Sequence, residues 1–156
     1  MPSSFTLVTE TSHSAQALFD LSLSIDAHVD SMRSSGERAV AGVTAGQIGL
    51  GETVTWRARH FGVWFTMTSQ IVELEAPYRF VDEQLEGPFA LFRHEHVFES
   101  AGALTKMTDT VTLASPVLGR LVEPLVLLPH LRRLIVSRNR RLVELLDAAS
   151  DGGRGD

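Results

Sequence analysis

The amino-acid sequence predicts an α+β domain of order β-α-α-β6-α, a curved antiparallel sheet wrapped around a long C-terminal helix with an internal cavity. Three observations carry this. Apolar residues recur at helical spacing near the start, then alternate after residue 36. Turn residues punctuate the alternating part at Phe61-Gly62, Ala76-Pro77, Gly87-Pro88 and Ala101-Gly102. Beyond Pro129 a helical stripe returns and no strand follows. A sheet of that length must cover its apolar face, and one long helix is the available lid.

Phe5 to Val8 alternates with small polar residues and reads as the first strand. Thr11 to Ser14 offers helix caps, followed by Ala15, Leu18, Phe19 and Leu23 at helical spacing. Asp26 is the expected cap of a second short helix carrying His28, Val29 and Met32. Gly36 to Gly42 reads as a strand, and Gly46, Gly49 and Gly51 make Val43 to Gly51 a loop. From Glu52 to His60, the residues Val54, Trp56, Ala58 and His60 share one face, with Thr55, Arg57 and Arg59 on the other. Val63–Glu75, Tyr78–Glu86, Ala90–Glu99 and Leu104–Ala114 follow as successive hairpins. Pro124 and Pro129 each suit a helix start or a kink. Leu131, Ile135, Leu142, Leu145 and Ala149 then form a stripe. The domain is expected to span residues 1–149, with 150–156, which lack apolar content, as a disordered tail.

A chain of 156 residues, 44% hydrophobic and 21% charged, is long enough for one domain with a real core. The net charge of −5 argues against a nucleic-acid partner. With no cysteine, disulfide frameworks, thiolate zinc sites and thiol nucleophiles are excluded. The start carries neither the basic region nor the apolar run of a secretory signal. The most apolar stretch, Leu121 to Val136, is interrupted by Pro124, Pro129, Arg132 and Arg133. It falls short of the ~20 residues a membrane span requires. These features predict a cytoplasmic protein without stable membrane insertion.

The strand Ala90 to Glu99 carries the most chemistry. Phe92, His94, His96 and Phe98 share its inward face; Arg93, Glu95 and Glu99 take the outward one. A turn near Gly87-Pro88 places Asp82 opposite His94, and a turn near Ala101-Gly102 places Asp109 opposite His94 from the other side. Phe80 and Met107 fall on the same face. The result is a row Asp82–His94–Asp109 crossing an otherwise apolar surface. Three readings of it stand side by side: a self-satisfied polar network, the polar end of a ligand pocket with His94 or His96 as acid or base, or a metal site. No metal and no cofactor is assigned. His60 is expected at the turn or on the cavity wall, His28 at the cavity mouth. Arg138, between Ile135 and Leu142, is expected to pack its stem and carry its head to water, the alternative being contact with Asp109 or a ligand carboxylate. No nucleophile elbow, phosphate loop or dinucleotide fingerprint is present.

The element order resembles the START/Bet v 1-like superfamily, called SRPBCC in bacteria, and within it the small proteins labelled polyketide cyclase/dehydrase-like. The similarity rests on Asp26-Ala27-His28, Gly49 to Trp56, Pro77 to Glu83, Gly87-Pro88-Phe89, His94 to Glu99, Thr105 to Asp109 and the helix around Arg138. It implies the helix-grip fold and a cavity for a small apolar or amphipathic molecule. His28, Trp56, His60, Phe80, Asp82, Phe92, His94, His96, Met107, Asp109 and Arg138 are the expected ligand-binding residues. The expected function is ligand binding as a carrier or sensor. The alternative is a cyclase or dehydratase with catalytic candidates His94, His96, Asp82 and Asp109. A homodimer through a sheet edge stays open.

Overall fold

The computed structural model describes residues 2–119 and 121–154. Strand β1 (Ser3–Thr11) is followed by helices α1 (Ala15–Ser22) and α2 (Ile25–Ser31). Six strands then run in meander: β2 (Arg38–Gly42), β3 (Thr53–His60), β4 (Val63–Glu75), β5 (Arg79–Glu86), β6 (Leu91–Ala101) and β7 (Leu104–Ala114). Helix α3 (Leu128–Gly152) closes the domain. The strands form one antiparallel sheet in the order β1-β7-β6-β5-β4-β3-β2. Together with α3 they give the expected α+β helix-grip arrangement.

Local chemistry explains most boundaries, and several differ from the sequence expectation. Ser14 caps α1 by accepting from the Ala17 amide. Ser24, not Asp26, caps α2, because its side chain reaches the Ala27 amide at 3.2 Å. Asp26 instead accepts from the Gly46 amide at 2.8 Å and ties α2 to the following loop. The second strand starts at Arg38 rather than Gly36, since a 3-10 turn occupies Arg33–Ser35 and Gly36 adopts a left-handed φ of 62°. At the β3–β4 turn both Phe61 and Gly62 have positive φ, 52° and 77°, as a two-residue hairpin of the primed type requires. A π-helical turn over Glu123–Leu127 leads into α3. The helix continues through 150–152, past the expected domain end at 149, while 155 and 156 lie outside the described residues.

The core lies between the concave face of the sheet and the helices. Phe19 of α1 sets its ring edge-on against Phe80 at 5.8 Å and Phe98 at 5.3 Å. Leu18, Met107 and Leu142 belong to the same buried cluster. Burial of each such side chain contributes roughly 1.5–3 kcal/mol. The convex face is polar where alternation predicts it. On β5 and β6, Arg79 bonds Glu95 at 2.9 Å and pairs with Glu73, which also receives Arg93. That lattice of charges fixes which face of β6 points outward, and therefore sends both histidines inward.

Candidate ligand cavity and its polar row

Between the sheet, α2 and α3 lies a cavity of about 530 Å³. Its wall is mostly apolar, with Ile48, Trp56, Met67, Ile71, Phe92 and Leu131 among the lining residues. Phe61, Phe65, Val122 and Val126 both line it and are exposed, so they mark where it meets solvent. The Ser69 hydroxyl is buried in this wall and has no hydrogen-bond partner among the described residues.

Asp82 lies opposite His94 across β5 and β6, as the turn at Gly87-Pro88 predicts. The register with β7 differs. Ala101 pairs with Leu104, so the turn centres between Gly102 and Ala103, and Asp109 lies opposite His96, not His94. Moving a turn centre by one residue shifts the pairing by two, and an even shift preserves the face. The row is therefore bent rather than lost. Asp109 still meets both rings: its Oδ1 is 2.7 Å from His94 Nε2 and 2.9 Å from His96 Nδ1. The second contact is at ion-pair distance but off the line of a hydrogen bond. His96 Nε2 lies 3.1 Å from Asp82 Oδ2, and the two imidazoles are 3.7 Å apart between ring centres.

The structure corrects the expectation for Arg138. Its guanidinium does not reach water; the residue is 3% exposed, donates to Asn139 Oδ1 at 2.9 Å and lies 3.8 Å from Asp109 Oδ1. Asn139 in turn donates to Asp109 Oδ2 at 2.6 Å and to Thr9 at 3.1 Å. Arg138 borders the cavity, as do His28, Trp56, His60, Phe80, Asp82, Phe92, His94 and His96. Met107 and Asp109 do not. Met107 is sealed beneath α1, where its sulfur meets the Ser22 hydroxyl, and Asp109 lies behind the two histidines.

Burial decides much of the electrostatics. It lowers the pKa of His94, the neighbouring His96 charge adds to this, and the Asp109 carboxylate opposes it incompletely. Burial also acts to lower His96, but contacts with Asp109 and Asp82 outweigh it and hold that imidazole above its ordinary value. Burial acts to raise Asp109, yet the bonds from His94 and His96 hold it well below the carboxylate range. Burial likewise acts to raise Asp82, but the His96 hydrogen bond together with the neighbouring His94, His96 and Arg138 charges leaves it lowered. The carboxylates of Asp82 and Asp109 thus adjoin the two imidazoles and the Arg138 guanidinium, so groups of opposite sign face one another in the cluster, as buried charges require.

A second polar group lines the cavity. His28 stacks on Trp56 at 4.2 Å and hydrogen-bonds Glu37 Oε1 at 2.5 Å. His60, the last residue of β3, lies both at the turn and on the cavity wall, with its Nδ1 3.0 Å from His130 Nε2. Burial lowers both of these histidines. Glu37, His130 and Asn139 were not foreseen as site residues. For Asn139 a signal existed: Ile135, Asn139 and Leu142 share one helical face. His130 repeats the pattern with Leu134. Glu37 sits beside an irregular turn and carries no periodic signal.

No protein-family model and no curated protein matches the chain. Solved structures do. The Zhui aromatase/cyclase from Streptomyces sp. R1128 superposes with a TM-score of 0.79 at 14% identity, covering 100% of both chains. TTHA0849 from Thermus thermophilus gives 0.72 at 17% identity, over 92% of this chain and 99% of that one. Ara h 8.0201 gives 0.70 at 12% identity, over 95% and 99%. Likeness at these identities is one of fold. The chain has the START/Bet v 1-like fold, the architecture its element order resembles.

Proposed function

We propose that this protein binds a small hydrophobic or amphipathic molecule in the cavity, apolar body against Trp56, Met67, Ile71 and Phe92, polar end toward Asp82, His94 and His96. The observation that carries the reading is a cavity of about 530 Å³ whose largely apolar wall carries a convergent polar row of Asp82, His94 and His96. Small-molecule sites fall in the range of about 300–1,000 Å³ and pair apolar walls with a few convergent polar groups. The unpartnered Ser69 hydroxyl offers a further hydrogen bond. Native mass spectrometry of the purified chain, followed by denaturing extraction, tests it. The expected result is a discrete extra mass released as an organic molecule, or, for protein isolated empty, saturable binding of a neutral apolar fluorophore. A chain that carries no organic mass and binds no such fluorophore overturns the reading.

A second reading is an enzyme of cyclase or dehydratase type. Neutral His94, oriented by Asp109 at 2.7 Å and bordering the cavity, is suited to general acid–base work. The fold likeness to an aromatase/cyclase supports the same reading by analogy. Loss of turnover of a polyketide-like substrate in His94→Gln, with binding retained, would select it. Equal loss of binding and turnover would return the row to a purely binding role.

A further inference from the structure

Asp109 Oδ1 faces a nitrogen of each imidazole, His94 Nε2 at 2.7 Å and His96 Nδ1 at 2.9 Å. A carboxylate oxygen only accepts, so the nitrogen hydrogen-bonded to it, His94 Nε2, carries a hydrogen. When that ring is neutral its lone pair lies on the opposite nitrogen, His94 Nδ1, while His96 turns its Nε2 toward Asp82. Asp109 is itself immobilised: it is fully buried, and Asn139 donates to its other oxygen at 2.6 Å. An anchored carboxylate that fixes the tautomer of one imidazole and lies at ion-pair distance from a second is the outer-shell arrangement by which proteins orient metal ligands.

Asp82 supplies the third donor from the cavity wall. One donor atom each of Asp82, His94 and His96 lies within 4.8 Å of the other two. His96 Nε2 and Asp82 Oδ2 are 3.1 Å apart. Two ligands at right angles with bonds of about 2.1–2.2 Å are separated by about 3.0–3.1 Å, so that pair already has the edge length of an octahedral shell. As metal ligands the imidazoles are neutral, so Asp82, Asp109 and Arg138 together with a divalent cation leave one positive charge, which an anionic oxygen in the cavity cancels.

The geometry points to a divalent transition-metal site formed by Asp82, His94 and His96 on the cavity wall, with open positions for an apolar ligand bearing a carboxylate, enolate or phenolate oxygen. Two imidazoles and one carboxylate favour zinc, cobalt, nickel or ferrous iron over magnesium or calcium. The ligand half of this inference rests on the cavity reading above; the metal half does not.

The test is titration of the chelator-treated full chain with CoCl2, followed by visible d–d absorption and calorimetry. One Co2+ per chain, bound at micromolar concentration or tighter, is expected. Asp82→Asn and His94→Gln should each weaken it at least tenfold. Circular dichroism checks the fold of each variant. Should His94→Gln fail to fold, Asp82→Asn, at the cavity face, carries the test alone. Absence of saturable binding overturns the proposal. So does saturable binding indifferent to Asp82→Asn, or binding abolished by His60→Gln, which would seat the ion at the His60–His130 pair. A neutral apolar fluorophore titrated into metal-free protein separates the two halves. Fluorophore binding without Co2+ binding removes the metal and keeps the cavity; Co2+ binding without fluorophore binding does the reverse.

Discussion

Replacing Asp109 with asparagine in metal-free protein tests the electrostatic account most directly. The carboxylate accepts from His94 at 2.7 Å and from Asn139 at 2.6 Å, and it lies 3.8 Å from Arg138. Asparagine matches the shape but has one accepting oxygen and one donating amide. Turned toward the histidines, its oxygen leaves two amide NH2 groups facing each other at Asn139. Turned the other way, its NH2 opposes the hydrogen on His94. A hydrogen bond to a charged group contributes about 1.5–3 kcal/mol, and breaking a buried ion pair costs about 3–5 kcal/mol. Retention of one partner puts the expected loss near 3 kcal/mol. For a domain of this size that is a fall in melting temperature of about 6–12 °C. Equilibrium urea unfolding, followed by tryptophan fluorescence at neutral pH, measures it. Asp82→Asn serves as the comparator: its carboxyl borders the cavity, where water can solvate the change, so its cost should stay below about 1 kcal/mol. A loss at Asp109→Asn of under about 1 kcal/mol, or an equal loss at both positions, refutes the charge-balance reasoning.

Trp56 lines the cavity whereas Trp64 is half-exposed with Arg57 over its ring; quenching by a bound apolar fluorophore should therefore vanish in Trp56→Phe and persist in Trp64→Phe. His60 and His130 have pKa values lowered by burial, so the native state binds their protons more weakly than the unfolded chain. Their contribution is then fully present above the unfolded value of about 6.5 and is lost as pH falls below it. The urea midpoint should drop between pH 7.5 and 5.5 and drop less in His60→Gln; identical pH slopes would contradict this. Ser14→Ala removes the α1 cap on the Ala17 amide at 3.1 Å and should cost about 1 kcal/mol by the same unfolding assay, where a change near zero would assign the cap no energetic role.

What could be read from the sequence follows from what is local. Alternation on β6 placed His94 and His96 inward between Phe92 and Phe98, and all four are buried. Gly87-Pro88 set the β5–β6 register because the turn residues flank it closely. The β6–β7 register was displaced by two because Ala101, Gly102 and Ala103 give no chemical reason to prefer one turn centre. Arg138 was misjudged for a different reason. Whether a long cation surfaces depends on what faces it, and Asp109 is distant in sequence. The second polar group was legible only in part: His28 and His60 were expected at the cavity, but their partners Glu37 and His130 come from a turn and a helix start, and only the folded domain joins them.

The pairing of β1 with β7 gives the domain an order of assembly. Every other strand neighbour follows its partner in sequence, whereas Ser3 faces Leu113 across the whole length of the meander. Closing so long a loop is entropically the costliest pairing in the sheet. Thr9 of that strand also accepts from Asn139, which holds Asp109. The polar row is therefore pinned by the first residues of the chain and by its last helix. A nascent chain that has emerged only as far as β7 can form the meander, but it lacks the α3 residues that fix the chemistry of the cavity.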